Sequence, residues 1–284
     1  MNSIDSNIPK HALNGYTLIP ETEAVLPLRI REVFFNFSVY ESIKIIESIP
    51  LFLQDHIDRL FTSAQELSMS HEFSSIPLTA AIHSLIDEDS LKDATLRIQL
   101  VGGDHPYLFV FSQDLPEYKD SLYEKGVSVI SYEGERIEPE VKSNCLLLNY
   151  LALREAREKG AFEAILVDRY GMAIEGTRSN VFGIQGNTLY TPGSGVLAGV
   201  TRKHILEAAE SIGMEIAFTD TSYFELRSGF FDEFFISSTS MGAMPVSMID
   251  DVMIGKTFPK THKLHEEFSQ IEQSYIADRR LRKA

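Results

Sequence analysis

Cysteine is all but missing: Cys145 stands alone, so no intrachain disulfide framework exists and the chain suits a reducing compartment. Basic residues are also few, 26 Lys and Arg against 41 Asp and Glu, which leaves a formal charge of −15. A field of that sign opposes nucleic acid and anionic membrane surfaces, so an anionic ligand must be caught by local groups. No apolar run approaches the roughly 18 to 20 residues that a membrane helix needs. Met1–Ser6 has neither a basic nor a long apolar region, so no signal peptide is expected. The expectation is a soluble cytoplasmic protein without nucleic-acid or membrane partners.

What is present is enough apolar side chain for a large core, 44% of 284 residues, a length that fits two modest domains. Asn14-Gly15 signals a hairpin, and the Val-, Phe-, Tyr- and Ile-rich run from Glu32 to Ile49 reads as strand with a turn at Glu47-Ser48. Helical spacing follows in Gln54–Ser70 and Leu78–Asp87, then two strands, Thr95–Val101 and Tyr107–Ser112. Gln113–Glu117 breaks both periodicities and divides the chain into a small N-terminal domain, 1–115, and a larger one, 116–284. Beyond it come a strand Val127–Tyr132, an acidic loop to Glu140, then Lys142 followed by a helix to about Lys159, and a strand Phe162–Val167. A hairpin around Gly186-Asn187, a helix Thr201–Ile212, strands Met214–Phe218 and Glu233–Ser237, and a closing helix from about Thr261 to Ala277 complete the reading.

The stretch Val141–Asn180 holds the residues that could carry chemistry. Lys142 precedes a leucine-rich helix, and Glu175 follows 33 positions later (175 minus 142), after an apolar strand. A lysine nucleophile needs an unprotonated amine, which burial or a neighbouring cation provides, and a buried carboxylate needs a charged partner. A pyridoxal phosphate (PLP) held by Lys142, with Glu175 at its pyridinium nitrogen, satisfies both. Each residue also has an ordinary reading, Lys142 as a surface lysine at a helix start and Glu175 as a turn residue.

A phosphate group could use Gly199-Val200-Thr201-Arg202, where a helix opens with unpaired N–H groups and Thr201 could act as cap. The hydroxyl cluster Ser237–Ser240 after an apolar strand and the cation Arg59 are further candidates. The neighbours of Cys145 suggest a buried structural thiol. His262 and His265 share a helix face without further ligand candidates nearby, so a solvated face and no metal are expected. The basic run Arg279, Arg280, Arg282 and Lys283 reads as a solvated helix end.

Seven stretches then occur in a family order: Asn14-Gly15 with Ile19-Pro20-Glu21; Val39-Tyr40-Glu41; His56-Ile57-Asp58-Arg59-Leu60; Lys142 with Asn149-Tyr150-Leu151-Ala152; Glu175-Gly176 with Ser179-Asn180; Leu197–Arg202; and Asp232–Phe235 with Ser238-Thr239. With these, the chain resembles the fold-type IV PLP-dependent enzymes, which include branched-chain and D-amino-acid aminotransferases and aminodeoxychorismate lyase. The resemblance implies an α+β, two-domain fold with a small α/β N-terminal domain and a larger, β-barrel-like α/β C-terminal one, assembled as a homodimer. It implies Lys142 as the catalytic Schiff-base lysine, and Glu175 as partner of the pyridine nitrogen. Arg59, Val200, Thr201 and Thr239 become the phosphate cup, and Leu197 the residue packed on the ring. Tyr40, Arg97, Ser240 and Met241 become substrate contacts.

The implied reaction is amino-group transfer between an amino acid, a branched-chain one being a candidate, and a 2-oxo acid. The alternative is a lyase releasing pyruvate and 4-aminobenzoate. Three departures bear on substrate. Asn36-Phe37-Ser38 replaces a Gly-Asp-Gly common in the family, Gly102 stands where D-amino-acid aminotransferases place an arginine, and Leu147 stands where the branched-chain subgroup has a tyrosine.

Overall fold

Alternation builds the first sheet. In the strand Ser38–Ile46, Val39, Glu41, Ile43 and Ile45 are buried while Tyr40, Ser42, Lys44 and Ile46 are half-buried, the period-two pattern of a strand with one face on a core. The computed structural model describes residues 11–283; Met1–Ser6, where no signal peptide was expected, lies outside them. The chain folds as two units, one comprising residues up to Pro116 with Val141–Asn144 and Tyr275 onward, the other Glu117–Glu140 and Cys145–Ser274.

The first unit is a six-stranded antiparallel sheet, in the order Thr17–Pro20, His11–Asn14, Tyr107–Gln113, Ala94–Val101, Ser38–Ile46, Ile49–Pro50. Helices Leu53–Glu66 and Ser75–Glu88 bury Ile57, Leu60, Leu78, Ile82 and Leu85 against its Val39, Ile43, Leu96 and Ile98. The first helix stops four residues before the expected Ser70, because Ser68 takes a positive φ of 53° and turns the chain. The strand expected over Glu32–Ile49 is interrupted twice. Arg31–Phe34 is a helical turn ending near Asn36 at φ 50°, and Glu47 and Ser48, at φ 53° and 63°, make the expected turn.

The second unit carries a ten-stranded mixed sheet. Val127–Glu133 lies parallel to Glu163–Val167 on one side and to Gly242–Ile249 on the other. Glu163–Val167 then pairs antiparallel with Met172–Gly176, and Asn180–Gln185 with Glu233–Ser238. The strand Gly242–Ile249 escapes sequence reading because it contains Pro245, which disfavours central strands, and its register shifts between Val246 and Met248. Helix Leu147–Glu158 turns Ala152 and Ala156 onto Ile130, Ala164 and Leu166. The closing helix, Pro259–Lys283, is longer than expected at both ends. Among the described residues no helix is long and apolar enough to cross a membrane. The whole is an α+β protein with one sheet per unit.

One buried position in the first sheet is charged. Glu41, fully buried, accepts two hydrogen bonds from Arg59, Nε at 2.7 Å and Nη2 at 2.8 Å, and one at 2.7 Å from His56 Nδ1. Burial pushes the Glu41 carboxyl up, but Arg59 and His56 outweigh it and hold the group well below the usual carboxylate range. Burial lowers His56, with Arg59 and Lys142 adding to that and Glu41 opposing it, so His56 is the neutral donor and Arg59 the counter-charge.

Removing one member of such a cluster strands a buried charge. Glu41→Ala is expected to lose about 3–5 kcal/mol at pH 7, read by urea unfolding; a loss under about 1 kcal/mol, typical of an exposed pair, contradicts the arrangement. Because the folded-state pKa of Glu41 is depressed, its contribution is full above the ordinary value of 4.5 and fades as pH falls through the folded value. The stability gap between the native chain and Glu41→Gln therefore closes in acid.

Candidate active site

In the first unit the chemistry gathers on the face of the sheet opposite Glu41. Ser42 lies directly across from Arg97 and Tyr40 across from Gln99, which makes Tyr40 and Arg97 diagonal neighbours. The Arg97 guanidinium carbon sits 3.8 Å from the centroid of the Tyr40 ring, and Lys142 Nζ lies 4.7 Å from the same centroid. Among the described residues Arg97 donates to neutral acceptors, Ser42 Oγ at 3.3 Å and Asn144 Oδ1 at 3.4 Å. Burial lowers its pKa from the ordinary arginine value, with Tyr40 and Glu41 opposing that shift.

Lys142 precedes the helix, but not immediately. Val141–Asn144 runs as an extra extended segment along the start of Ser38–Ile46: Tyr40 N donates to Lys142 O at 3.0 Å, Asn144 N to Ser38 O at 3.0 Å, and Val39 bridges Ser143. Lys142 N donates to Ser63 Oγ at 3.2 Å, and Val141 is buried in the core of this unit. The helix starts only at Leu147, which leaves Cys145 exposed rather than buried as expected; three adjacent leucines do not fix which way their neighbour faces. Arg59 stands on the helix behind Tyr40, tied to Glu41.

The departure at Gly102 has a steric cause. A Cβ there would lie 2.5 Å from the Phe37 ring and 2.9 Å from Met69, and Gly102 N donates to Phe37 O at 3.0 Å. An arginine at 102 would require the Phe37 ring and Met69 to shift.

In the second unit Glu175 is buried within the strand Met172–Gly176 and not in a turn. Its partner is Arg136, whose Nε donates to Oε1 at 2.5 Å and Nη2 to Oε2 at 3.3 Å; Arg136 also donates to Pro139 O. Sequence reasoning passed over Arg136. The available signal was a lone cation in an acidic loop, together with the rule that a buried carboxylate is paired. Downstream, Glu163 fixes the turn after Glu175, accepting from Thr177 Oγ1, Arg178 N and Ser179 Oγ at 3.1, 2.9 and 3.1 Å. A Cβ on Gly176 would fall 2.1 Å from Ser179 Oγ, so only glycine fits between these groups.

Helix Val200–Ser211 opens on Gly199, not on a Thr201 cap, and no side chain caps it. Its first N–H groups are thereby left for an anion. Gly199 packs so closely that a Cβ would lie 2.2 Å from Asn180 Oδ1, while Asn180 Nδ2 donates to Leu197 O at 2.8 Å. These contacts set Leu197, Val200 and Thr201 together. Thr239 and Ser240 form the turn after Glu233–Ser238, with Ser240 Oγ 3.2 Å from Tyr118 Oη. Met241 is buried in the core, and its carbonyl accepts from Tyr123 Oη at 2.9 Å. Burial, with Tyr118, Glu272 and Asp120, pushes Tyr123 up to about 12, so it remains a donor.

An uncapped helix start with a glycine that only a bare backbone fits, together with a buried carboxylate, suits a phosphorylated, protonated heterocycle such as PLP. The histidines read as solvated are instead packed: His262 Nε2 lies 2.9 Å from Tyr123 O, and the His265 and Tyr123 rings are 4.7 Å apart. Both fill space beside Tyr123 in the second unit.

Comparison with known proteins shows the family. The family model described as amino-transferase class IV matches residues 38–249. The D-alanine aminotransferase of Bacillus licheniformis is 32% identical over 263 residues, covering 88% of this chain and 92% of its own. The aminodeoxychorismate lyase of Bacillus subtilis is 29% identical over 253 residues, covering 83% of this chain and 85% of its own. Among solved structures, the branched-chain aminotransferase of Thermoproteus uzoniensis with norvaline superposes with a TM-score of 0.85 at 22% identity, covering 93% of this chain and 95% of that one. The chain therefore belongs to the class IV aminotransferases, PLP-dependent enzymes of fold type IV.

Proposed function

We propose that this enzyme moves an amino group between an amino acid and a 2-oxo acid, with Lys142 carrying the cofactor and Arg97 receiving a substrate carboxylate. The observation that carries the reading is Arg97 itself: a half-buried guanidinium against Tyr40, with only neutral acceptors among the described residues, in the same unit as Lys142. Amino and oxo acids both bring the carboxylate that such a cation lacks. Bound PLP draws electrons from the substrate α-carbon so that its proton can leave.

The rest is assigned to the chain's own groups. The Lys142 amine takes up that proton and returns it. Glu175, kept in place by Arg136, holds positive charge at the ring nitrogen. Arg59, with Thr239 and the helix start at Val200 and Thr201, binds the phosphate, and Leu197 packs on the ring. Ser240 and Met241, and separately Tyr40, are assigned to the substrate. A branched-chain amino acid is the candidate substrate, since Gly102 leaves no arginine of the D-amino-acid type and Phe37 adds apolar bulk.

A homodimer fits the large apolar side chains left exposed, Leu28, Phe34 and Phe35 in the first unit and Leu147 and Tyr150 in the second. The reducing cytoplasm fits the exposed Cys145. The lyase reading uses the same lysine, and assay products separate the two.

With purified holoenzyme, an apolar amino acid and 2-oxoglutarate, glutamate is expected to accumulate; pyruvate release from aminodeoxychorismate, without glutamate formation, supports the lyase instead. If neither L- nor D-amino acids bleach the cofactor absorbance, the transfer reading fails. Arg97→Gln is expected to lower kcat/KM by about a hundredfold, mainly through KM, as loss of a buried charge partner does; unchanged KM contradicts its role. Gly199→Ala is expected to speed loss of cofactor on dialysis, because the added Cβ disturbs Asn180 and the helix start; retention equal to the native chain contradicts the cup.

A further inference from the structure

The basic run near the C-terminus, an ordinary solvated helix end by sequence, has a definite setting in the first unit. Arg280 pairs with Glu47, and Arg282 Nε lies 3.0 Å from Asp278, one turn back. Arg279 has no carboxylate partner among the described residues. Its guanidinium carbon lies 5.0 Å from the centre of the Tyr275 ring, and its Nε is buried without a hydrogen-bond acceptor. A buried donor left unmade is costly and calls for an acceptor.

Arg279 borders a cavity of about 190 Å³ whose apolar floor is Ile49, Pro50 and Leu53 and whose side is Tyr275, held by Phe52 at 4.9 Å between ring centres. An apolar cavity of roughly 150 Å³ takes a benzene ring, so this one has room for a small apolar body beside the cation. Arg282 also lines the cavity but is paired with Asp278, so Arg279 is the one lining arginine without a carboxylate partner among the described residues; it matches one negative charge, and the apolar floor disfavours a dianion that keeps its water.

We propose that this cavity binds a small monocarboxylate with an apolar body, the carboxylate on Arg279 and the body on Ile49, Pro50 and Leu53. None of its lining residues is among those gathered around Lys142, so the inference stands apart from the proposed reaction. The protein's net charge of −15 gives no long-range attraction to an anion, which makes the local contact with Arg279 decisive.

Benzoate titrated into the holoenzyme by calorimetry is the probe, with benzamide as its neutral counterpart. The expected result is one saturable benzoate site per chain that persists in Arg97→Gln. It weakens about tenfold or more in Arg279→Gln, as loss of a charge-assisted contact does, while turnover of that variant stays native. Thr79→Phe, which fills the cavity from its lining, should remove the site, and benzamide should bind at least about tenfold more weakly. The proposal is overturned if Arg279→Gln and Thr79→Phe bind benzoate like the native chain, if benzamide binds equally well, if the only site disappears in Arg97→Gln, or if no saturable binding is found.

Discussion

Everything at the candidate site depends on a short backbone tether. Tyr40 N to Lys142 O, Asn144 N to Ser38 O and Lys142 N to Ser63 Oγ stitch four residues, Val141–Asn144, onto the strand that carries Tyr40. The side of that strand facing the core supplies Glu41, and the other side supplies Tyr40 beside Arg97. A lysine on a free loop would sample many positions at a cost of about 1–2 kcal/mol per residue to order. Here the order is supplied by the sheet and by the burial of Val141.

Buried carboxylates are the second constraint, and each is handled differently. Glu41 is ionised against Arg59 with His56 neutral, and Glu175 is paired with Arg136. Glu163 has only backbone and hydroxyl donors near one oxygen, with Arg178 at 3.6 Å from the other, and burial raises its pKa. Paired charges at core positions cost more than apolar residues would, so their presence beside Lys142 and within the strand Met172–Gly176 fits function better than stability alone.

Much of this was legible in the sequence where periodicity is long and clean. The helices from Leu53, Ser75 and Val200 and the strands Ala94–Val101, Tyr107–Gln113 and Val127–Glu133 lie within a few residues of expectation. What escaped has local causes. Pro245 hid a central strand, Asp120–Lys125 is too short a helix to show a period, and Lys142 lies in an extended segment whose partners are about a hundred residues away in sequence. Tyr40 and Arg97 could be named from family order, but their stacking follows from a cross-strand register that no local pattern encodes. Arg136 was missed because an arginine among acids looks solvated until its carboxylate is located.

The central claim is that Lys142, held on the Tyr40 strand, is the residue that carries the cofactor. Borohydride reduction of the holoenzyme, followed by digestion and peptide mass mapping, tests it most directly. The account predicts a phosphopyridoxyl adduct on the peptide containing Lys142 and on no other lysine. An adduct on a different residue, or none from a holoenzyme that absorbs as PLP-loaded, would contradict it.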